Sequence, residues 1–132
     1  MKTTNYEISK KLKEIGFEAE ANFYFDTRTY KAIPDEVFYK STFNKEEPEH
    51  YLPSYDLETL LKAFPNITGI DLENGEIHYQ NSYTDYLSKR DGIRTEFYYK
   101  MDKNELLVDA VGKLLLKELR EFGIIKIIKF NK

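Results

Sequence analysis

The chain of 132 residues contains no cysteine and no tryptophan, and it has only six glycines and four prolines. The absence of cysteine excludes disulfide bonds, cysteine-ligated zinc and thiol catalysis. An excess of one charge is lacking too, because 20 Lys and Arg stand against 23 Asp and Glu, a formal net charge of -3. This balance argues against binding driven mainly by phosphate neutralisation, and it is too mild for a mimic of DNA.

Long apolar runs are also missing. No segment approaches the roughly 20 apolar residues of a membrane-spanning helix, and residues 1–20 do not have the pattern of a secretory signal. We therefore expect a soluble, cytoplasmic protein that makes no membrane contact. The length suits one domain with its own core, and no repeat or linker interrupts it, so we expect a single domain over residues 1–132.

Aromatic residues are abundant, with 11 Tyr and 9 Phe. Tyrosine packs within a sheet while its hydroxyl group reaches water, which favours a fold rich in strands. The same side chain is a frequent anchor of binding surfaces. The composition leaves both roles open.

The segment with the clearest local signals is residues 53–65, which begins and ends with proline. Ser54 or Asp56 is suited to cap a helix there. One apolar stripe is formed by Leu57, Leu60, Leu61 and Phe64. We predict a short helix whose stripe packs in the core, and within which Tyr55 alone faces a partner.

Two further helices are predicted. A capping box of Thr4 and Glu7 starts a helix over residues 5–15, which Gly16 ends. A longer helix runs over residues 104–122 and ends at Gly123. The apolar face of the longer helix collects Leu107, Val111, Leu114, Leu115, Leu119 and Phe122.

Glu118 falls inside this apolar stripe. Its carboxylate could be aimed into a pocket. We favour the alternative, in which it lies at the end of the core and meets a lysine, an arginine or water.

Alternating apolar and polar residues predict strands. The segments are residues 17–25, a stretch from about residue 29 past Pro34 with 37–39 as its strongest part, and 94–101. Residues 44–52 and 80–93 are polar and are interpreted as loops. Together these elements predict an α+β fold, an antiparallel sheet of four to six strands with about three helices against one face.

A hairpin over residues 70–79 is indicated by Asn74-Gly75, which favours a two-residue type I′ turn. This register places Leu72 opposite Ile77 and Ile70 opposite Tyr79 on the buried side, with Asp71 opposite His78 on the other side. A histidine beside a carboxylate is the arrangement of a general base. A cross-strand charge pair on a wet sheet face explains it equally well, and no motif places a nucleophile.

Two other clusters were considered as sites. His50 with Glu46, Glu47 and Glu49 matches no metal-binding loop, so we favour a solvated acidic loop. A platform for stacking single-stranded nucleic acid is offered by Tyr79, Tyr83, Tyr86, Tyr98 and Tyr99, with Lys89, Arg90 and Arg94 nearby. Core packing is the first interpretation of these tyrosines. Phosphate-loop, zinc-protease, nucleophile-elbow and EF-hand motifs are absent, so we predict no catalytic, cofactor-binding or metal residues.

A family resemblance is carried by Pro-Ser-Tyr-Asp-Leu-Glu-Thr-Leu-Leu at residues 53–61 and by the Asp109-Ala110 pair in the last helix. The chain resembles small uncharacterised proteins encoded by phages and prophages, which have no known activity. The resemblance implies a phage or prophage accessory protein. It departs from the pattern in its basic apolar tail, residues 124–130.

The sequence thus favours a non-enzymatic protein that binds an unknown protein partner. Alternatives are a module that binds single-stranded nucleic acid through the region of Tyr79 to Tyr99, or a small acid–base enzyme centred on His78 and Asp71. A homodimer is a further possibility, because the tail could pair as an edge strand with its symmetry mate.

Overall fold

The computed structural model describes residues 2–28, 38–39, 50–64, 66–80 and 97–122. These residues contain three helices, α1 (Tyr6–Glu14), α2 (Leu57–Ala63) and α3 (Leu107–Phe122). They also contain six strands, β1 (Phe23–Asp26), β2 (Phe38–Tyr39), β3 (Tyr51–Ser54), β4 (Ile67–Asp71), β5 (Glu76–Tyr79) and β6 (Phe97–Lys100). The strands form two antiparallel sheets, with orders β2–β1–β3 and β4–β5–β6. The predicted α+β class is confirmed.

Helix α1 begins after Asn5, whose side chain accepts a hydrogen bond of 2.9 Å from the backbone N–H of Ile8. The predicted cap at Thr4 is therefore wrong by one residue. Thr4 is fully buried instead, because its Oγ1 accepts a hydrogen bond from the backbone N–H of Tyr55. The helix end is as expected, since Gly16 has φ of 90°, a conformation that glycine adopts without strain.

The first sheet joins the N-terminal part of the chain to the segment before α2. Strand β1 is shorter than the predicted strand over residues 17–25 and pairs along its whole length with β3. Strand β3 corrects the predicted loop over residues 44–52, because residues 51–52 belong to it. Pro53 lies inside β3 rather than at a helix start, which is compatible with pairing because β3 is at the end of the sheet.

Helix α2 begins at Leu57, since Asp56 is its cap and accepts a 2.8 Å hydrogen bond from the backbone N–H of Thr59. Of the two predicted caps, Asp56 is therefore correct, while Ser54 ends β3. Within the predicted stripe, Leu60 and Phe64 are fully buried, and Leu57 and Leu61 are partly buried and packed against the core.

The prediction that Tyr55 faces a partner is wrong. Its side chain is 3% exposed and packs edge-on against Phe17, with 5.1 Å between the ring centroids. Burial raises the pKa of the Tyr55 hydroxyl to about 12. Tyr55 is part of the core because it follows directly on β3, whose register turns it inward.

The β4–β5 hairpin has a longer turn than the sequence suggested. Ile70 pairs with Ile77 and Asp71 with Glu76, so residues 72–75 form the turn. The Asp71 carboxylate stabilises it, accepting hydrogen bonds of 3.1 Å from the backbone N–H and 2.7 Å from the Nδ2 of Asn74.

This register corrects the predicted pairs of the hairpin. The inward positions Ile77 and Tyr79 are buried as expected. Ile70 and Leu72, which were expected on the buried side, are 37% and 67% exposed. His78 lies opposite Gly69 rather than opposite Asp71.

Helix α3 lies at the centre of the core and begins three residues later than predicted. Its buried side chains include Val111, Leu114, Leu115 and Leu119 of the predicted face, with Val108, Ala110 and Leu116 in addition. Leu107 is partly buried, and the side chain of Phe122 lies outside the described part of the chain. Glu118 is 3% exposed, which confirms its place within the stripe.

Several sequence predictions fall on residues that the structure does not describe. These are residues 29–37 of the second strand, 44–49 of the acidic loop, 81–93 of the next loop, 94–96, Pro65, and the end of the last helix at Gly123 with its tail. Within the described ranges, no helix combines the length and the hydropathy that crossing a membrane requires.

Candidate interaction surface on the second sheet

The sheet β4–β5–β6 packs one face against the core, and its other face forms a surface that we call the open face. Because residues directly opposite each other in antiparallel strands share a face, the register assigns two rows to it. The rows are Gly69, His78 and Tyr98, and Asp71, Glu76 and Lys100. Ile77 and Tyr79, which alternate with them along β5, are buried on the core side.

The open face has an aromatic centre. The rings of His78 and Tyr98 meet edge to face, with 4.5 Å between their centroids and 79° between their planes. Such pairs contribute about 0.5–1.5 kcal/mol beyond area burial. Tyr98 is nevertheless 61% exposed, so the pair orients a large side chain towards solvent.

His78 has a nitrogen without a partner. Its Nε2 atom is buried and forms no hydrogen bond. Gly69 stands opposite His78, and a Cβ atom built there would meet nothing within 4 Å. A space is therefore left beside the imidazole ring on the outermost strand of the sheet.

Exposed apolar side chains are concentrated on this sheet and its turn. The large exposed hydrophobic residues of the described chain are Ile70, Leu72, Phe97, Tyr98 and Leu106, and of these only Leu106 lies elsewhere. Clustered exposed apolar side chains are typical of interaction sites. They do not all lie on the open face, because Phe97 is opposite Tyr79 on the core side.

The charged row of the open face does not form a catalytic pair. Hydrogen bonds from the side chain and backbone of Asn74 lower the pKa of the Asp71 carboxyl, which is therefore ionised and occupied by the turn. The predicted cross-strand pair of Asp71 with His78 is wrong, since Asp71 lies opposite Glu76. Lys100 completes this row and donates a hydrogen bond to the backbone oxygen of Asn74.

The predicted tyrosine platform is divided between two faces. Tyr98 is exposed on the open face, whereas Tyr79 is buried and Tyr99 is partly buried on the core side. The division follows from strand geometry, in which neighbouring side chains point to opposite faces. Tyr83 and Tyr86 lie outside the described residues, as do Lys89, Arg90 and Arg94.

A polar cluster that the sequence did not reveal lies at the start of α3. The Tyr99 hydroxyl donates to the Glu105 carboxylate, at 2.8 and 2.9 Å from its two oxygens, and Lys113 Nζ lies 2.5 Å from Oε2. The Glu105 side chain is only 5% exposed. No spacing rule could have joined these three residues, because two of them lie outside α3 and reach it only in the fold.

The pKa shifts in this cluster indicate a structural role. Burial opposes ionisation of Glu105, but hydrogen bonds from Lys113 and Tyr99 outweigh it and lower the pKa of its carboxyl. Burial and the Glu105 carboxylate raise the pKa of Tyr99 to about 12. The hydrogen bond to Glu105 likewise raises the pKa of Lys113. All three groups are held in one protonation state at neutral pH, so none is suited to shuttle protons.

The remaining candidate residues form no site in the described structure. His50 is half-buried beside β3, and its three neighbouring glutamates lie outside the described residues. Across the described ranges, no group of three or more His, Asp or Glu side chains is placed to hold a metal ion. Glu118 is enclosed within the core and faces no cavity that the described residues line.

Comparison of the chain with protein-family models, with curated proteins and with solved structures found no match. Function must therefore be argued from the geometry of the molecule, and the open face is its most distinctive surface.

Proposed function

We propose that this chain is a non-enzymatic binding protein that contacts a protein partner through the open face. The observation that carries the proposal is the 61% exposure of Tyr98, which is oriented by His78 at the centre of that face. A tyrosine held by its neighbours loses little conformational entropy on binding and supplies a large contact area.

The surroundings of Tyr98 support a protein partner. Asp71, Glu76 and Lys100 give the face a charged border around an aromatic centre, which is the usual anatomy of a protein interface. The unpaired Nε2 of His78 favours association as well, because a buried polar atom without a partner costs about 1–3 kcal/mol that a new hydrogen bond recovers.

The biological setting belongs to the same proposal. The resemblance of residues 53–61 and of the Asp109-Ala110 pair to phage and prophage proteins supports an accessory role inside a bacterial cell. The partner would then be a cytoplasmic protein of the host or of the phage.

The test is affinity capture with the full-length tagged chain from a bacterial lysate, with bound proteins quantified by mass spectrometry. We expect one protein to be enriched by the wild type and to fall at least tenfold with Tyr98→Ala. Leu106→Ala is the matched control, since it removes an exposed apolar side chain outside the sheet. The proposal fails if both variants retain every enriched protein.

A second candidate function, binding of single-stranded nucleic acid, is favoured by the exposed ring of Tyr98 and by Lys100 on the same face. Asp71 and Glu76 in the neighbouring row oppose it, because phosphates would approach two carboxylates. Fluorescence anisotropy with labelled single-stranded oligonucleotides at 50 and 200 mM salt separates the two candidates. Salt-sensitive binding that Tyr98→Ala weakens would establish the second.

A further inference from the structure

An apolar groove lies on the opposite side of the second sheet from the open face, between α2 and β4. Its volume is about 360 Å³. It is lined by Leu61, Phe64, Ile67, Thr68, Gly69 and Ile70. Phe64 is fully buried and forms the floor, whereas Ile70 is 37% exposed at the rim.

The walls of the groove suit an extended chain segment. One wall is β4, the outermost strand of its sheet, and the other is the helix α2. Recognition of extended peptides commonly uses a sheet edge with side-chain pockets beside it. Gly69 has no side chain to obstruct approach, and the space at its Cβ position is open.

The sequence supplies a segment of matching chemistry. Residues 124–130 read Ile-Ile-Lys-Ile-Ile-Lys-Phe. Isoleucine and phenylalanine favour extended backbone, and each gains about 1.5–3 kcal/mol when it leaves water. Such a segment is stabilised strongly by an apolar groove.

Charge and reach favour the same assignment. The chain beyond β4 is acidic, with Asp71, Glu73 and Glu76 in and beside the turn, whereas Lys126 and Lys129 are basic. Helix α3 packs against α2, which forms one wall of the groove. An extended segment of residues 123–132 spans up to about 33 Å, enough to cross a domain of this size.

We infer that the groove between α2 and β4 is the docking site of the chain's own C-terminal segment, residues 124–130. Its apolar side chains fill the groove and its lysines face the acidic turn. Attachment to the same chain gives the segment a millimolar effective concentration, so it occupies the groove ahead of a second copy at micromolar concentration. This inference is independent of the proposed protein partner, which uses the open face.

Cross-linking in the full-length chain tests the inference, because the natural sequence has no cysteine. The pair Thr68→Cys and Ile127→Cys joins the groove to the segment, and the control pair Lys10→Cys and Ile127→Cys joins α1 to it. Dioxygen with copper phenanthroline oxidises each thiol pair to one disulfide, and the electrons and protons pass to oxygen. We expect the groove pair to form an intramolecular disulfide at least tenfold faster than the control pair. Equal rates, or disulfide-linked dimers from the groove pair at micromolar concentration, overturn the inference.

A second measurement leaves the groove intact. A nitroxide attached to Asn131→Cys in the full-length chain broadens the amide signals of nearby residues. We expect the signals of Gly69 and Ile70 to lose at least half of their intensity while that of Lys10 is retained. Unchanged Gly69 and Ile70 signals contradict the inference.

Discussion

Asp109 Oδ1 accepts a hydrogen bond of 2.8 Å from the backbone N–H of Asn5, although 104 positions separate the two residues. Asn5 is the cap of α1, so the bond joins the first turn of α3 to the start of α1. A carboxylate at this place also interacts favourably with the positive end of the α1 dipole. The Asp109-Ala110 pair noticed in the sequence thus has a structural explanation, since Ala110 is fully buried beside it.

Loss of this contact is expected to lower the free energy of unfolding. Asp109→Ala should cost about 1–3 kcal/mol, because a charged acceptor is removed from a backbone donor. Asp109→Asn should cost less, since its amide oxygen still accepts the bond. Urea denaturation measures both, with Glu58→Ala as the control because Glu58 forms only an exposed pair with Lys62. An Asp109→Ala variant as stable as the control would contradict this role.

Two glycines should respond oppositely to alanine. A Cβ atom at Gly112 would lie 2.9 Å from Ile8 Cγ2 and 3.2 Å from Thr4 Cγ2, and both neighbours are buried. Despite the better helix propensity of alanine, we expect Gly112→Ala to destabilise the fold by about 1–2 kcal/mol through overpacking.

Gly69→Ala is the matched comparison, because the space there is open. We expect it to change stability by less than about 0.5 kcal/mol or to increase it slightly. Thermal denaturation of both variants provides the check. Equal effects would show that α1 and α3 are not packed as described.

The Glu105 cluster predicts a pH dependence of stability. The folded-state pKa of Glu105 lies below its ordinary value of 4.5, so its contribution is fully present above pH 4.5 and is lost as the pH falls through the lowered pKa. Glu105→Gln should cost about 1–2 kcal/mol at pH 7, and its difference from the wild type should vanish on acidification.

Denaturation in urea between pH 3 and 7 measures this difference, with Glu58→Gln as the control. At the alkaline end the sign is reversed for Tyr99. Its pKa rises from 10.0 to about 12, so its contribution is lost between those values. A constant difference between wild type and Glu105→Gln over the acidic range would refute the assignment.

His78 should be dispensable for folding. Because its buried Nε2 forms no hydrogen bond, His78→Leu removes an unsatisfied polar atom and should be neutral or stabilising by up to about 1 kcal/mol. Gln80→Leu, at another position of the same sheet end, is the comparison for a general gain from added apolar volume. A loss of more than about 1 kcal/mol in His78→Leu would mean that the imidazole makes a bond essential to the fold.

The sequence predicted best those elements that local rules determine. Helix α2, with Asp56 as its cap and Leu60 and Phe64 inside, follows from spacing and capping alone. Burial of Glu118 followed from helical periodicity in the same way. These signals lie within one or two turns of chain.

The failures share a long-range cause. Tyr55 is buried because β3 pairs with β1, some 30 positions earlier in the chain, which no local pattern near residue 55 records. The hairpin register was missed because the Asp71 side chain stabilises a longer turn than Asn74-Gly75 alone favours. In the candidate surface, Tyr98 and His78 were both noticed, but only the register between β5 and β6 brings them together.

The central claim is that Tyr98 on the open face contacts a protein. Its most direct test is photo-cross-linking in bacterial cells, with p-benzoylphenylalanine in place of Tyr98 and, as a control, in place of Leu106. We predict a discrete adduct at position 98 that protease removes and nuclease does not, and none at position 106. No adduct at position 98, or one that nuclease removes, would contradict the claim.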